Sequence, residues 1–300
     1  MGATPCRCTP AAHQPPLLPM QTVRMTPVAG ACMDGPPAAM LPAMIPDSPP
    51  SASLSAGQLR ARVLHRDELC FVIDKPAGLA VHKAGRITDH LELYLPHLAE
   101  ADGEPPKLAH RLDRDTAGCL ILGRTPWALK RFGQMFAAGH VEKTYWAVAD
   151  GVPEAGSGVI DLPLLKRIEP KSPSGAGRSS WTILPDPAGQ PAVTEYRVLG
   201  TAADGRCWLE LRPRTGRTHQ IRVHCAAIGC PLVGEPFYGP ERRPPGALHL
   251  LARSVAFRMA FEHAAVSAVA PAPEHMRDAL AACGWREREG AAIPSATPHL

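Results

Sequence analysis

The stretch "LAHRLDRDTAGCLILGRT", Leu108 to Thr125, decides how this chain folds. Five of the six side chains from His110 to Asp115 are charged or titratable, and the chain then turns into the apolar run Cys119 to Gly123. A short apolar run bounded by turn signals is the mark of a buried strand. A helix follows at once in "TPWALKRFGQMFAAG": Thr125 is its N-cap, Pro126 its first helical position and Gly139 lies beyond its end. Leu129, Phe132 and Phe136 form its apolar stripe. Two aspartates, each beside an arginine, therefore stand at the mouth of a buried strand, and the question is which of them matters.

Outward from that stretch the strands multiply. "RARVLHRDELCFVIDKPAGLAVH" reads as strand, turn, strand, with a turn at "KPAG", Lys75 to Gly78. "VEKTYWAVADG" alternates and sets Lys143, Tyr145, Ala147 and Ala149 on one face. "AVTEYRVLG" and "CWLELRPR" are further strands. In "THQIRVHCAAIG", Ile221, Cys225 and Ile228 recur at helical spacing, with Thr218 as cap and Gly229 as stop. A last helix runs from Glu274 to Cys283 and ends at Gly284. The Pro-, Gly- and Ser-rich region 156–189 reads as a long loop or a weakly paired hairpin. Strands outnumber helices and are mostly joined by turns, which predicts an α+β fold on a mixed, mainly antiparallel sheet.

Of the 300 residues, 45% are hydrophobic, enough to supply a core, and the net charge of +4 permits a nucleic-acid partner without arguing for one. Residues 1–57 are rich in Pro, Ala and Met, lack lysine and show no periodicity. They read as a disordered extension, or as a non-native one if the true start is Met40 or Met44. Residues 58–286 read as one folded domain and 287–300 as a flexible tail. No segment is apolar enough for long enough to cross a bilayer, and no secretory pattern opens the chain. "VAGAC", Val28 to Cys32, lacks the apolar helix that a lipoprotein signal needs. Nine scattered cysteines read as reduced thiols in a cytoplasmic protein, and a monomer is the simpler expectation.

The charged stretches carry the chemistry. An aspartate among arginines is expected to keep its charge, with its pKa lowered. Held ionised and dry, it can take a proton or attack an electrophilic carbon. An isolated pair of this kind is more often structural. From Arg206 to His224 there are five arginines against one acid, Glu210. Arg214, Arg217 and His219 gather where a helix begins, and such an end suits phosphate oxygens. A solvated basic helix end remains the alternative. Arg222, one turn on from His219, can reach a buried carboxylate. A zinc site at His219, His224, Cys225 and Cys230 is rejected: the set has no paired C-x-x-C, and His224 and Cys225 point apart on a helix. Tyr145 is a core residue or a platform for a nucleobase.

"AHRLDRDTAGCLILGRT", "EKTYWAVADG" and "RTGRTHQIRVHCAAIGCPLVGEPFYG" occur in that order, with "DKPAGLAVH" upstream. Together they resemble the RluA-type family of RNA pseudouridine synthases, over about Arg62 to Cys283. The resemblance implies a mainly antiparallel sheet with flanking helices and a central RNA-binding cleft. It also implies conversion of a flipped-out uridine in tRNA or 23S-type rRNA to pseudouridine, with no metal or organic cofactor. By it, Asp113 is the catalytic carboxylate, Asp115 is not assigned to catalysis, Tyr145 stacks on the base, and Arg222 pairs with Asp113. Arg111 enters the RNA helix where the base leaves, Leu250 is a wall of the base pocket, and His110, Lys143, Arg214, Arg217 and His219 contact RNA.

Two positions depart from the family's pattern: Glu235 stands where an aspartate is usual, and Leu251 where many members carry histidine. Neither is expected to touch the chemistry. No S4-like RNA-binding module precedes the catalytic region, as in the compact members of the family. A catalytically silent RNA-binding protein of the same fold, and a nucleoside hydrolase or lyase, are the competing readings.

Overall fold

The computed structural model describes residues 21–24, 54–83, 85, 87–100, 103–169, 180–239 and 246–287. In chain order the elements begin with β1 (Gln21–Arg24), α1 (Ala56–Arg60), β2 (Val63–Arg66), β3 (Cys70–Lys75), β4 (Lys107–Leu108) and β5 (Ala117–Gly123). Next come α2 (Pro126–Ala137), β6 (Glu142–Asp150), β7 (Ser157–Asp161), β8 (Leu164–Glu169) and β9 (Ser180–Pro185). The chain continues through β10 (Val193–Thr201), β11 (Arg206–Pro213), α3 (Gln220–Ala227), β12 (Leu250–Phe257), β13 (Val266–Val269) and α4 (Glu274–Ala282).

The main sheet runs in the order β1-β7-β10-β11-β6-β12-β5-β3-β2, with β13 added to β12 and β4 to β5. Among the described strands of this sheet, β1–β7 and β12–β5 pair in parallel and the other pairs are antiparallel. The α+β architecture expected from the sequence is therefore the one observed. β8 and β9 form a separate two-stranded hairpin.

β5 explains its own composition, because every one of its residues is buried. Cys119 and Ile121 face a core made with Phe132 and Met135 of α2 and Leu280 of α4. Leu120 and Leu122 face the opposite core, with Leu59 of α1 and Leu91 and Leu95 of two 3-10 turns. A strand covered on both sides has no polar face to alternate. α3 lays Ile221 and Cys225 on Ala147, Ala149, Leu209 and Leu211.

The contact between β5 and β12 spans only Leu251↔Ala117 and Ala252↔Gly118. Gly118 has a φ of 105°, and a Cβ there would lie 2.3 Å from the Ala252 carbonyl oxygen, so this seam is closed by glycine. Asp113 lies just upstream of the seam on the β5 side, and Leu250 opens β12 on the other.

Four expectations need correction. Thr125 does cap α2 by accepting from the Ala128 N–H at 3.1 Å. Its inner face, however, is Ala128, Phe132 and Met135, with Phe136 only partly buried. His219, not Thr218, occupies the N-cap of α3. Within 156–189, β7 joins the main sheet and β8–β9 pair as the hairpin alternative; 170–179 lie outside the described residues. Finally, order begins before residue 58. Thr22 and Val23 pair with Val159 and Ile160, and Arg24 meets Asp161 at 3.4 Å. Ser55 and Gln58 cap α1 reciprocally. The rest of the expected extension, and 288–300, lie outside the described residues.

Candidate active site

The loop that carries Asp113 is fixed from beneath by a buried lysine. Lys75 donates to the carbonyls of Pro76, Leu79 and Arg114 at 2.7, 2.8 and 2.9 Å. Arg114 Nε donates to the Gly78 carbonyl at 3.1 Å, so the "KPAG" turn and the "HRLDRD" loop are laced together. Burial draws the Lys75 ammonium down to about 7, while Asp115, Asp113 and Asp74 pull it back up. Three carbonyl acceptors use all three N–H groups of the charged form. Leu112 is buried beneath the loop, and the Thr116 N–H donates to the Asp113 carbonyl at 3.2 Å.

This lacing separates the two aspartates. Asp113 lines a cleft of about 590 Å³, with its side chain 22% exposed. Asp115 is not among the cleft residues and sits 3.8 Å from Arg114 Nε. The expected lowering of the Asp113 pKa is overturned. Burial raises it, and Arg222, Arg111 and Lys75 only partly offset that rise. Desolvation acts on the whole carboxylate, whereas the nearest cations are engaged elsewhere.

Neighbouring strands supply the rest of the floor. Tyr145 and Lys143 project from β6, and Leu250 from the start of β12; all three line the cleft. Burial, together with the Asp113 charge, pushes the Tyr145 phenol well above the usual tyrosine range, so it keeps its proton. Burial lowers the Lys143 ammonium. Arg111 is exposed on the rim. His110 also borders the cleft, but its Nε2 accepts from the Ile121 N–H at 3.0 Å and its ring packs on Phe136 at 4.7 Å. Burial pushes it down to about 3, so it stands as a neutral imidazole that supports the loop at the edge of the cleft.

The opposite wall comes from α3. Arg222 does not form the expected ion pair with Asp113. It makes a bidentate pair with Glu235, Nε to Oε2 at 2.7 Å and Nη2 to Oε1 at 2.6 Å, both side chains being buried. Its guanidinium also lies over Phe237 and Tyr238, 5.4 Å from each ring centroid. Glu235 is buried behind the cleft wall, not among the residues that line it, and it fixes the cation whose charge acts on Asp113. The signal was present in "GEPFYG", since a buried fork-shaped donor needs a carboxylate partner.

His219 lies at the cleft wall with a left-handed backbone (φ 53°), the one positive φ on a non-glycine residue among those described. That conformation costs on the order of 1–3 kcal/mol and persists where surroundings enforce it. Arg217 is exposed and donates from Nε to the Pro191 carbonyl at 3.1 Å. Arg214 is exposed and paired with Glu195 at 2.8 and 3.0 Å. The β8–β9 hairpin, which the sequence did not connect to the site, brings Trp181 to 5.4 Å from the His219 ring.

No metal geometry forms at the rejected zinc set. His224 spends its ring nitrogens on Thr194 Oγ1 and the Leu162 carbonyl, at 2.9 and 3.0 Å. Among the described residues, the group with ligand atoms close enough for a metal is His65, Asp67 and Cys70, between β2 and β3. There Asp67 already accepts from the Leu69 and Cys70 N–H groups, which accounts for its position as a turn residue.

A shielded carboxylate and a protonated phenol share the cleft, walled by a fixed guanidinium and rimmed by arginines. Comparison with known proteins gives the class. A family model described as RNA pseudouridylate synthase matches residues 70–227. An uncharacterized RNA pseudouridine synthase of Zymomonas mobilis is 46% identical over 185 residues, 61% of this chain and 81% of that one. The ribosomal large subunit pseudouridine synthase D of the same organism is 35% identical over 210 residues, 68% of this chain and 62% of that one. The solved structure of human RNA pseudouridylate synthase domain containing 4 superposes with a TM-score of 0.62 at 29% identity, covering 76% of this chain and 95% of that one. The chain belongs to the RluA-type RNA pseudouridine synthase family and is an isomerase acting on RNA.

Proposed function

We propose that the protein converts specific uridines in tRNA, 23S-type rRNA or both to pseudouridine, with Asp113 as the catalytic carboxylate and with the target base flipped into the cleft. The observation that carries this reading is the contrast between the two aspartates: Asp113 lines the cleft opposite Arg222 and beside Tyr145, and Asp115 does not. The N1–C1′ bond of the flipped nucleotide breaks, the base rotates, C5 joins C1′, and the proton on C5 is lost while N1 gains one. One carboxylate near the sugar suffices, either taking a sugar proton or adding to the nucleotide. Tyr145 keeps its proton and offers both a stacking face and a donor. Leu250 gives the base an apolar wall. Arg111, exposed at the rim, is suited to fill the gap left in the RNA stack, where extrusion costs a few kcal/mol.

Arg222, held by Glu235, keeps a positive charge opposite Asp113 without leaving its own pair. Lys143, Arg214 and Arg217 border the path of the RNA backbone. The relative named for the ribosomal large subunit supports an rRNA target. Among the described residues no helix is long and apolar enough to cross a membrane, and the described cysteines are free thiols. A cytoplasmic location, a monomeric state and a structured RNA partner belong to the same proposal.

The test is to incubate the purified protein with total RNA from cells lacking its gene and to map pseudouridines. New modification at discrete uridines in tRNA or large-subunit rRNA is expected. RNA bound without modification would favour the silent RNA-binding alternative.

A further inference from the structure

We infer that His219 is a positioning residue for the Asp113 carboxylate, its Nε2–H directed at Asp113 and its tautomer set by the Tyr238 hydroxyl. This rests on the reading of Asp113 as the reacting carboxylate, and it replaces a phosphate-binding role for His219 with a different one.

Geometry brings the three groups into line. His219 Nδ1 is 2.7 Å from the Tyr238 oxygen, and its Nε2 is 3.9 Å from Asp113 Oδ2. One tautomer satisfies both ends. The Tyr238 O–H donates to Nδ1, and Nε2 carries the proton that faces the carboxylate. Burial pushes the Tyr238 phenol up to about 12, so it retains the hydrogen this requires. Burial pushes His219 down to about 4, with the Arg222 charge acting in the same direction, so the imidazole is a neutral donor at neutral pH.

The ring is held from several sides. Trp181 of the hairpin packs at 5.4 Å, Phe237 stacks at 6.2 Å with planes 17° apart, and Tyr238 meets it edge-on at 5.6 Å. The left-handed backbone at position 219 is what aims the imidazole at the cleft from the cap of α3. A phosphate-binding histidine has no need of such confinement, and a neutral ring attracts phosphate weakly. The 3.9 Å separation is longer than a hydrogen bond. Catalytic hydrogen bonds in an empty site are often long and tighten when substrate binds.

The charges that bear on this pair come from several elements. Arg222 lies on α3, Glu235 beyond it, and Arg111 and Asp115 flank Asp113 on its own loop. Lys75 acts from the turn below, and the protonated Tyr145 from β6. Arg222, Arg111 and Lys75 already favour the ionised carboxylate. His219 adds a directional donor, which point charges do not supply.

The test uses the full chain with Asp carboxyl carbons labelled for NMR, the Asp113 signal being identified by its loss in Asp113→Asn. In His219→Ala the Asp113 titration should move upward. The acid limb of single-turnover kcat should move with it, and kcat should fall about 10- to 100-fold, as expected for a misplaced reacting group, with RNA Kd nearly unchanged. His219→Gln, which keeps an N–H donor, should recover part of the rate. The imidazole of the intact protein should titrate as the neutral Nε2–H form, and Tyr238→Phe should weaken that preference. A His219→Ala protein whose Asp113 titration and kcat limb stay in place while Kd rises would overturn the inference and return His219 to RNA contact. Because the Asp113 titration is read without turnover, an inactive wild type would contradict the proposed function and leave this assignment to be judged by the spectra.

Discussion

The two walls of the cleft hold their charged groups by opposite means. On the β5 side a cation fixes backbone: Lys75 spends its ammonium on three carbonyls, and the Asp113 side chain is left free to face the cleft. On the α3 side a carboxylate fixes a side chain: Glu235 grips both arms of the Arg222 guanidinium. One wall presents a reactive group on an immobilised loop, and the other presents an immobilised charge. The Asp113 carboxylate is met by His219 and, among the described residues, gripped by no ion pair of its own, while its counter-charge is locked to a partner.

Breaking the α3 wall should have the larger effect. Glu235→Ala leaves a buried guanidinium unpaired and should cost about 3–5 kcal/mol of stability in chemical denaturation. Replacing both partners, as in Arg222→Met with Glu235→Leu, should restore most of that stability without restoring turnover. If Glu235→Ala alone were as stable as wild type, the pair would not be the clamp described above.

Breaking the β5 wall comes next. Lys75→Met strands three carbonyls and should cost about 2–4 kcal/mol. Turnover should fall by more than that instability explains, because the Asp113 loop loses its anchor. Thermal melts alongside single-turnover rates separate the two effects.

The smallest effect belongs to an exposed arginine. Arg214→Ala should leave stability within about 0.5 kcal/mol. It should weaken RNA binding and lower the slope of log K against log salt by about one. Arg214 is already paired with Glu195, so an unchanged slope would mean that the pair stays closed in the complex.

Most of the fold was legible, because periodicity and turn chemistry are local. β5, β6, β10, β11 and the cap of α2 all follow from patterns within a dozen residues. The β8–β9 hairpin was obscured by its Pro, Gly and Ser content, and β1 by a Pro-, Ala- and Met-rich surrounding without strand periodicity. The inner face of α2 was misread because Ala128 and Met135 are fully buried while Leu129 and Phe136 are only partly covered, a matter of helix rotation that tertiary packing decides. In the site, Asp113, Tyr145, Lys143 and Leu250 gather as their motifs suggest. The partner of Arg222 was missed although "GEPFYG" offered a carboxylate, because Glu235 reaches it through space from beyond the helix. The upward push on Asp113 was missed for a related reason: the sequence displays neighbouring charges but not burial.

That push sets the sign of the pH dependence. A carboxylate whose pKa is raised by folding binds its proton more readily in the native state, so its ionised form costs stability above its unfolded pKa. Asp113→Asn should therefore be no less stable than wild type at neutral pH. Turnover of the intact protein should fall, as pH drops, at a higher pH than an ordinary aspartate would set.

The most direct test is tritium release from RNA labelled at uridine C5, measured for wild type, Asp113→Asn and Asp115→Asn. Release by wild type and Asp115→Asn, with none from a folded, RNA-binding Asp113→Asn, is the predicted result. Release by Asp113→Asn at a rate near that of wild type would contradict the assignment of Asp113 as the reacting carboxylate.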